Sequence, residues 1–102
     1  MELIDIKTFC KNRSEFSYKT FGTKQERGPN GPLEHLRREV DEVIAEPKDR
    51  TEYADCFLLL LDAYNRAELG DLFDLINDAN IKLEINKNRT WKKEGLIYQH
   101  VK

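Results

Sequence analysis

The segment Thr51-Glu52-Tyr53-Ala54-Asp55-Cys56-Phe57-Leu58-Leu59-Leu60-Leu61-Asp62-Ala63-Tyr64 is apolar on nearly every side when its residues are placed on a helix. A helix of this kind is typical of the centre of a fold, so we expect this segment to be the most buried element. Thr51 is a candidate N-cap, and Glu52 and Asp55 follow it closely, where negative charge complements the helix dipole. Gly70 is expected to end the helix.

Periodicity and turn residues predict three further helices and no strand. A first helix covers residues 5–20, and a Gly- and Pro-rich loop covers 21–32. A second helix runs from Pro32 to Glu46, where Pro47 stops it, and a last one runs from Asp71 to about Asn88. The tail from Thr90 lacks strict apolar alternation, so it is expected to be irregular. The expected fold class is all-α, a four-helix bundle in one domain spanning residues 1–102.

Length and composition narrow the class of protein. A chain of 102 residues with 39% hydrophobic and 35% charged residues is expected to form one globular domain. Because the chain has 17 Lys and Arg residues and 19 Asp and Glu residues, it has no overall positive charge that would attract nucleic acid. The charged N-terminal residues lack the apolar run of a secretory signal, and two cysteines are too few for a disulfide scaffold. We therefore expect a cytoplasmic location without membrane association.

Two acidic pairs are candidates for a metal site. Glu39 and Glu42 lie on one stripe of the second predicted helix, and Glu52 and Asp55 lie one turn apart on the third. Since a short connection makes these helices antiparallel neighbours, the four carboxylates can face one another. Such a group suits Mg²⁺ or Mn²⁺. The alternative is that the acids are ordinary solvated residues on charged helix faces.

A basic stripe on the last predicted helix is a candidate phosphate site. Lys82, Asn86 and Arg89 lie at positions i, i+4 and i+7, which places two cations and an amide on one side of the helix. Arg can bind phosphate oxygens through two hydrogen bonds, and Lys supplies a compact positive charge. The alternative is that these basic residues interact favourably with the dipole at the helix C-terminus.

Taken together, these motifs resemble those of a known enzyme family. The order Glu39-x-x-Glu42, Glu52-x-x-Asp55 and Lys82-x-x-x-Asn86-x-x-Arg89 is similar to that of the MazG-like nucleotide pyrophosphohydrolases. The resemblance covers about residues 21–100 and is most specific for the small phage and prophage branch of dATP/dGTP pyrophosphohydrolases, which includes the MazZ-like enzymes. Four segments carry that match: Arg27-Gly28-Pro29, Gly31-Pro32-Leu33-Glu34-His35-Leu36, Glu52-Tyr53-Ala54-Asp55 and Asn86-Lys87-Asn88-Arg89-Thr90-Trp91.

The resemblance implies a role for each motif. The acids Glu39, Glu42, Glu52 and Asp55 would bind two or three Mg²⁺ or Mn²⁺ ions, and Glu39 or Glu42 would act as the general base. The side chains of Lys82, Asn86 and Arg89 would hold the phosphates. One departure affects the number of ions: Arg38 stands where the family often has the first of two adjacent glutamates, and Glu34 or Glu46 could compensate. From its polar groups, the loop with Arg27 and Asn30 is a candidate for reading a purine, and also a plain surface connection.

The implied activity is hydrolysis of a purine nucleoside triphosphate, with dGTP or GTP favoured, to the monophosphate and pyrophosphate. Such an enzyme supplies or cleanses the nucleotide pool, and in phages that replace adenine by 2-aminoadenine it supplies dGMP in the host cytoplasm. Alternatives are hydrolysis of dATP, dUTP or phosphoribosyl-ATP by the same site, or a noncatalytic helical adaptor. The family builds its sites between subunits, so a homodimer or homotetramer is expected, which agrees with the surplus of apolar residues at 57–64.

Overall fold

The computed structural model describes residues 4–101, which form four α-helices followed by a β-hairpin. The helices are α1 (Ile6–Phe21), α2 (Asn30–Ala45), α3 (Arg50–Arg66) and α4 (Leu72–Lys87), and the strands are β1 (Trp91–Glu94) and β2 (Ile97–His100). The predicted four-helix fold class is therefore confirmed. None of the helices in residues 4–101 combines the length and apolar character that crossing a membrane requires.

Aspartates cap the N-termini of α3 and α4, and the predicted threonine does not cap α3. The carboxylate of Asp49 accepts hydrogen bonds from the backbone N–H of Thr51 (3.0 Å) and from its hydroxyl (2.6 Å), so α3 begins at Arg50. Asp71 and Asp74 form a capping box at the start of α4. The prediction that Thr51 is the N-cap was wrong, because a carboxylate two residues earlier accepts both of its donors.

The turn between α3 and α4 also differs from the sequence prediction. Helix α3 ends at Arg66 instead of Gly70. Gly70 instead lies in the connection with a φ of +132°, and a Cβ there would collide with the Asp74 carboxylate. Position 70 therefore requires glycine, because the chain there has a positive φ and passes close to the Asp74 side chain of the capping box of α4.

The C-terminal tail is a β-hairpin, so the prediction of an irregular tail was wrong. Strands β1 and β2 pair antiparallel, with Trp91 opposite His100 and Glu94 opposite Ile97. Gly95 takes a φ of +60° in the two-residue turn, a conformation that hairpin turns require. Every residue of both strands is exposed. Since neither face of the hairpin is buried, its sequence does not need alternating apolar and polar residues.

Helix α3 holds the centre of the fold, as predicted, but only over its second half. Leu61 and Ala63, both in α3, are buried, and Pro32 of α2 is buried as well. In contrast, Phe57, Leu58 and Leu60 keep roughly two fifths of their surface exposed. Helix α2 makes its main contact with α3, and the short connection 46–49 makes the two helices neighbours.

Candidate active site

Three carboxylates from two helices meet near the connection between α2 and α3. One oxygen from each of Glu39, Glu52 and Asp55 lies within 4.8 Å of the other two. Glu39 and Glu52 are half-buried, while Asp55 is exposed. The helical spacing of Glu52 and Asp55 turns both side chains of α3 toward the same stripe of α2. We refer to these three residues as the acidic cluster.

Glu42 adds a fourth carboxylate beside the acidic cluster and changes the ionisation of Glu52. The neighbouring Glu42 carboxyl, ahead of desolvation and the charges of Asp49 and Glu39, raises the pKa of Glu52 to about 7. The Oε2 atom of Glu52 is buried, and no donor among residues 4–101 forms a hydrogen bond with it. A buried carboxylate oxygen without a partner is costly, and a divalent cation would satisfy it while offsetting the repulsion. The donor set therefore fits Mg²⁺ or Mn²⁺.

His35 lies directly beside the acidic cluster. Its Nε2 atom is 3.1 Å from Oε1 of Glu39, one turn along α2. The side chain of Glu39 is 16% exposed and that of His35 is 59% exposed, so the contact joins a sheltered carboxylate to an accessible ring. Because the carboxylate can only accept, the Nε2 atom carries the hydrogen of this bond.

A cavity of about 200 Å³ is lined by His35, the residue that contacts Glu39 of the acidic cluster. Its wall combines apolar groups with charged ones: Phe21, Arg27, Gly31, Pro32, His35, Leu59, Asp62 and Arg66. A mostly apolar wall with a few convergent polar groups is typical of a small-molecule site. The volume is below the roughly 300 Å³ of drug-sized sites, so the cavity suits one part of a ligand, such as a base.

A buried polar network builds one wall of this cavity. The guanidinium of Arg66 donates to the carboxylate of Asp62 (3.0 Å) and to the hydroxyl of Ser17 (2.7 Å). Arg13 and Ser17, both from α1, donate to the other oxygen of Asp62 at 2.8 and 2.6 Å. Burial by itself raises the pKa of Asp62, but these three donors outweigh it and lower that pKa. Asp62 is therefore ionised and joins α1 to α3.

Arg66 also fixes the loop between α1 and α2. Its guanidinium donates to the backbone carbonyls of Gly22 (2.8 Å), Thr23 (3.2 Å) and Arg27 (3.0 Å). One buried side chain thus binds three carbonyl oxygens of the loop, and that of Thr23 also accepts the backbone N–H groups of Glu26 and Arg27. This clamp places the side chain of Arg27 at the cavity.

The two loop residues predicted to read a purine occupy different positions. Arg27 lines the cavity, and its guanidinium lies so close to Gly31 that a Cβ at that glycine would collide with it. Asn30 is the first residue of α2, is exposed and lies outside the cavity wall. The structure therefore brings Arg27, but not Asn30, to the cavity.

The basic stripe is only partly helical, because α4 ends at Lys87 and Arg89 lies in the turn that follows it. Lys82 is exposed, while Asn86 and Arg89 are half-buried, and Arg89 donates to the Asn86 side chain at 3.2 Å. Within residues 4–101, no hydrogen bond or ion pair joins these three side chains to Glu39, Glu42, Glu52 or Asp55. Trp91, the first residue of β1, donates its ring N–H to the backbone carbonyl of Asn86 (3.0 Å).

Residues 9–102 match the sequence model of the dATP/dGTP pyrophosphohydrolases. The chain belongs to that family. It is accordingly a nucleoside triphosphate pyrophosphohydrolase, as the resemblance implied, and the adaptor alternative is set aside. No curated protein sequence matches the chain.

One solved structure has the same fold as this chain. It is the cyanophage S-2L MazG-like pyrophosphohydrolase bound to dGDP and three catalytic Mn²⁺ ions per active site. The likeness has a TM-score of 0.77 at 23% sequence identity and covers 98% of this chain and 100% of the other. At that identity the comparison establishes the MazG-like fold of this chain.

The polar network behind the cavity was not predicted from the sequence. One signal was present, because Asp62 and Arg66 are an i, i+4 charged pair within an otherwise apolar helix, where unpaired charges are costly. No pattern in the sequence linked them to Arg13 and Ser17, which lie 49 and 45 residues from Asp62.

Proposed function

We propose that this enzyme hydrolyses a purine deoxynucleoside triphosphate, dGTP first, to the deoxynucleoside monophosphate and pyrophosphate. The observation that carries the proposal is the acidic cluster, in which a buried oxygen of Glu52 lacks a donor among the described residues. The preference for guanine follows the dGDP bound by the cyanophage neighbour. The product dGMP is the one that the family resemblance links to the synthesis of 2-aminoadenine DNA.

We assign Glu39, Glu42, Glu52 and Asp55 as the ligands of two or three Mg²⁺ or Mn²⁺ ions. When bound, the ions neutralise phosphate charge and make a water molecule more acidic. Glu39 or Glu42 accepts the proton of the attacking water, which adds to the α-phosphorus as pyrophosphate leaves. Arg38 supplies no carboxylate to this set, and neither Glu34 nor Glu46 belongs to the acidic cluster.

The basic stripe of Lys82, Asn86 and Arg89 holds the β- and γ-phosphates. Charge-assisted hydrogen bonds from these side chains stabilise the negative charge that develops on departing pyrophosphate. Since no hydrogen bond or ion pair within residues 4–101 joins the stripe to the acidic cluster of its own chain, we place it against the cluster of a second subunit.

The base occupies the cavity between His35 and Arg66. Its apolar surfaces from Phe21, Pro32 and Leu59 can contact the faces of a purine, and the guanidinium of Arg27 can donate to acceptor atoms on the purine edge. Asn30, outside the cavity wall, contacts the part of the nucleotide that projects from it.

The subunits associate as a homodimer, or as a homotetramer built from two dimers, through the apolar faces of α3 and α4. Large apolar side chains on these helices are 39–54% exposed in one chain: Phe57, Leu58, Leu60, Phe73, Ile76, Ile81, Leu83 and Ile85. Exposed apolar surface of this extent is typical of a protein interface.

The substrate assignment is tested by incubating the purified protein with Mg²⁺ or Mn²⁺ and one nucleotide at a time. The nucleotides are dGTP, dATP, GTP, ATP and dUTP, with phosphoribosyl-ATP as a further candidate, and products are separated by anion-exchange chromatography. We expect dGTP to give dGMP and pyrophosphate fastest. Faster turnover of dUTP or phosphoribosyl-ATP would overturn the purine deoxynucleotide assignment.

A further inference from the structure

The contact between His35 and Glu39 constrains one side of the acidic cluster. The Glu39 side chain is 16% exposed, and its Oε1 atom accepts from Nε2 of His35 at 3.1 Å. A carboxylate that is held at one oxygen has fewer rotamers to lose when its remaining lone pairs bind a cation. The contact therefore restricts the Glu39 carboxylate to one orientation before a cation binds to it.

The hydrogen bond does not depend on one ionisation state of the ring. Nε2 carries hydrogen in the neutral Nε2–H tautomer and also in the imidazolium, so His35 can donate to Glu39 in either form. Ligating carboxylates in metalloproteins are commonly held by such outer hydrogen bonds, which orient them and tune their affinity.

His35 also connects the acidic cluster with the cavity. Its ring lines the cavity wall, together with Pro32 from the preceding turn of α2, while its Nε2 atom faces Glu39. The one side chain thus touches both the space assigned to the base and a carboxylate assigned to the ions.

We propose that His35 is a positioning residue that donates its Nε2–H to Glu39 and so fixes this carboxylate for divalent-cation binding. The proposal rests on the function proposed above, because it needs Glu39 to be a ligand. The ring of His35 does not belong to the group of side chains close enough to share an ion. Its effect is therefore exerted through Glu39.

The test measures Mn²⁺ binding to the full-length, nucleotide-free protein by the loss of the electron paramagnetic resonance signal of free Mn²⁺. We expect His35→Leu to weaken Mn²⁺ binding about 10- to 100-fold, the range found when outer hydrogen-bond partners are removed. His35→Gln keeps an N–H donor at a similar reach and should restore most of the affinity. Arg37→Gln, on an exposed part of the same helix, is the matched control and should bind like the wild type. Circular dichroism verifies that each variant is helical.

The outcomes separate this proposal from the function on which it rests. Absence of Mn²⁺ binding by the wild type would overturn the proposed metal site itself. Wild-type binding with equal affinity in His35→Leu would overturn the positioning role alone. Equal weakening in His35→Gln and His35→Leu would also overturn it, since the effect would then need the imidazole rather than an N–H donor.

Discussion

The Nε atom of Arg66 lies 3.0 Å from Oδ2 of Asp62, in an ion pair whose side chains are 1% and 11% exposed. This pair lies at the centre of one chain, where most small domains place apolar side chains. Through it, α3 is joined to α1 and to the backbone of the loop that carries Arg27. The shape of the cavity therefore depends on a buried charge pair.

Replacing Arg66 should destabilise the fold strongly. Arg66→Met leaves Asp62 with fewer donors and removes the guanidinium donor of three loop carbonyls, so we expect a loss of about 3–5 kcal/mol in the free energy of unfolding. Urea denaturation measures this loss. The control is Arg37→Met, which breaks an exposed pair with Glu34 and should cost less than about 1 kcal/mol. Similar losses in the two variants would contradict the clamp.

Enlarging Gly31 should displace Arg27 from the cavity. A Cβ at this position collides with the Arg27 guanidinium, the flexible end of a side chain, so the helix can remain intact while the guanidinium moves. We expect Gly31→Ala to raise the KM for dGTP about tenfold, the effect of losing a hydrogen bond to a charged group.

Two further variants check the Gly31 prediction. A Cβ at Gly28 meets nothing within 4 Å, so Gly28→Ala should leave the KM unchanged. In the background of Arg27→Ala, the Gly31→Ala change should have no additional effect on KM. An additive effect would show that Gly31 acts independently of Arg27.

The stability of the metal-free protein should fall as the pH rises from about 5 to 8. The pKa of Glu52 is about 7 in the folded chain, above its ordinary value of 4.5, so the folded state retains a proton that the unfolded state releases between these values. The contribution of protonated Glu52 to the stability of the fold is fully present below pH 4.5 and is lost as the pH rises through 7. The pKa of Asp62 is lowered, so its contribution changes below pH 4 and leaves this window unaffected.

Thermal unfolding followed by circular dichroism measures this pH dependence. Saturating Mn²⁺ should raise the Tm by binding the folded state, and the increase should grow with pH as Glu52 loses its proton. Glu52→Gln should abolish the decrease in Tm across pH 5 to 8 without metal. A decrease of equal size in Glu52→Gln would assign it to another group.

An oligomer that contains both of two impaired variants, Asp55→Ala and Arg89→Ala, should regain activity. Asp55→Ala should abolish metal-dependent turnover by removing a ligand, and Arg89→Ala should lower turnover by removing a phosphate contact. If the basic stripe meets the acidic cluster of a second subunit, as proposed, co-refolding both variants should recreate intact sites between subunits. Asp41→Ala, on an exposed part of α2, is the matched control for Asp55→Ala. Failure of the mixture to regain activity would place both groups in one subunit.

Much of the helical framework could be predicted because its signals are local. Gly and Pro residues delimit the helices, and the i, i+3 spacing of Glu52 and Asp55 fixes their common direction toward α2. A short connection between α2 and α3 then brings Glu39 to them. Each step needs information from within one or two neighbouring elements.

The rest of the structure depends on relationships that are not local. The bond between Arg13 and Asp62 spans 49 residues, and one sequence offers no pattern that links these positions. The hairpin escaped prediction because its paired residues are exposed on both faces, so burial imposes no alternation on them. The sequence spacing of Lys82, Asn86 and Arg89 predicted one stripe of a helix, but α4 ends at Lys87, before Arg89, and the spacing carries no information on what these side chains face.

The most direct test of the account follows the oxygen of the attacking water. The enzyme is given Mn²⁺ and dGTP in water enriched in heavy oxygen, and mass spectrometry locates the label in the products. We predict that dGMP carries the label and that pyrophosphate remains unlabelled, because water attacks the α-phosphorus. Label in pyrophosphate, or formation of dGDP and inorganic phosphate, would contradict this account.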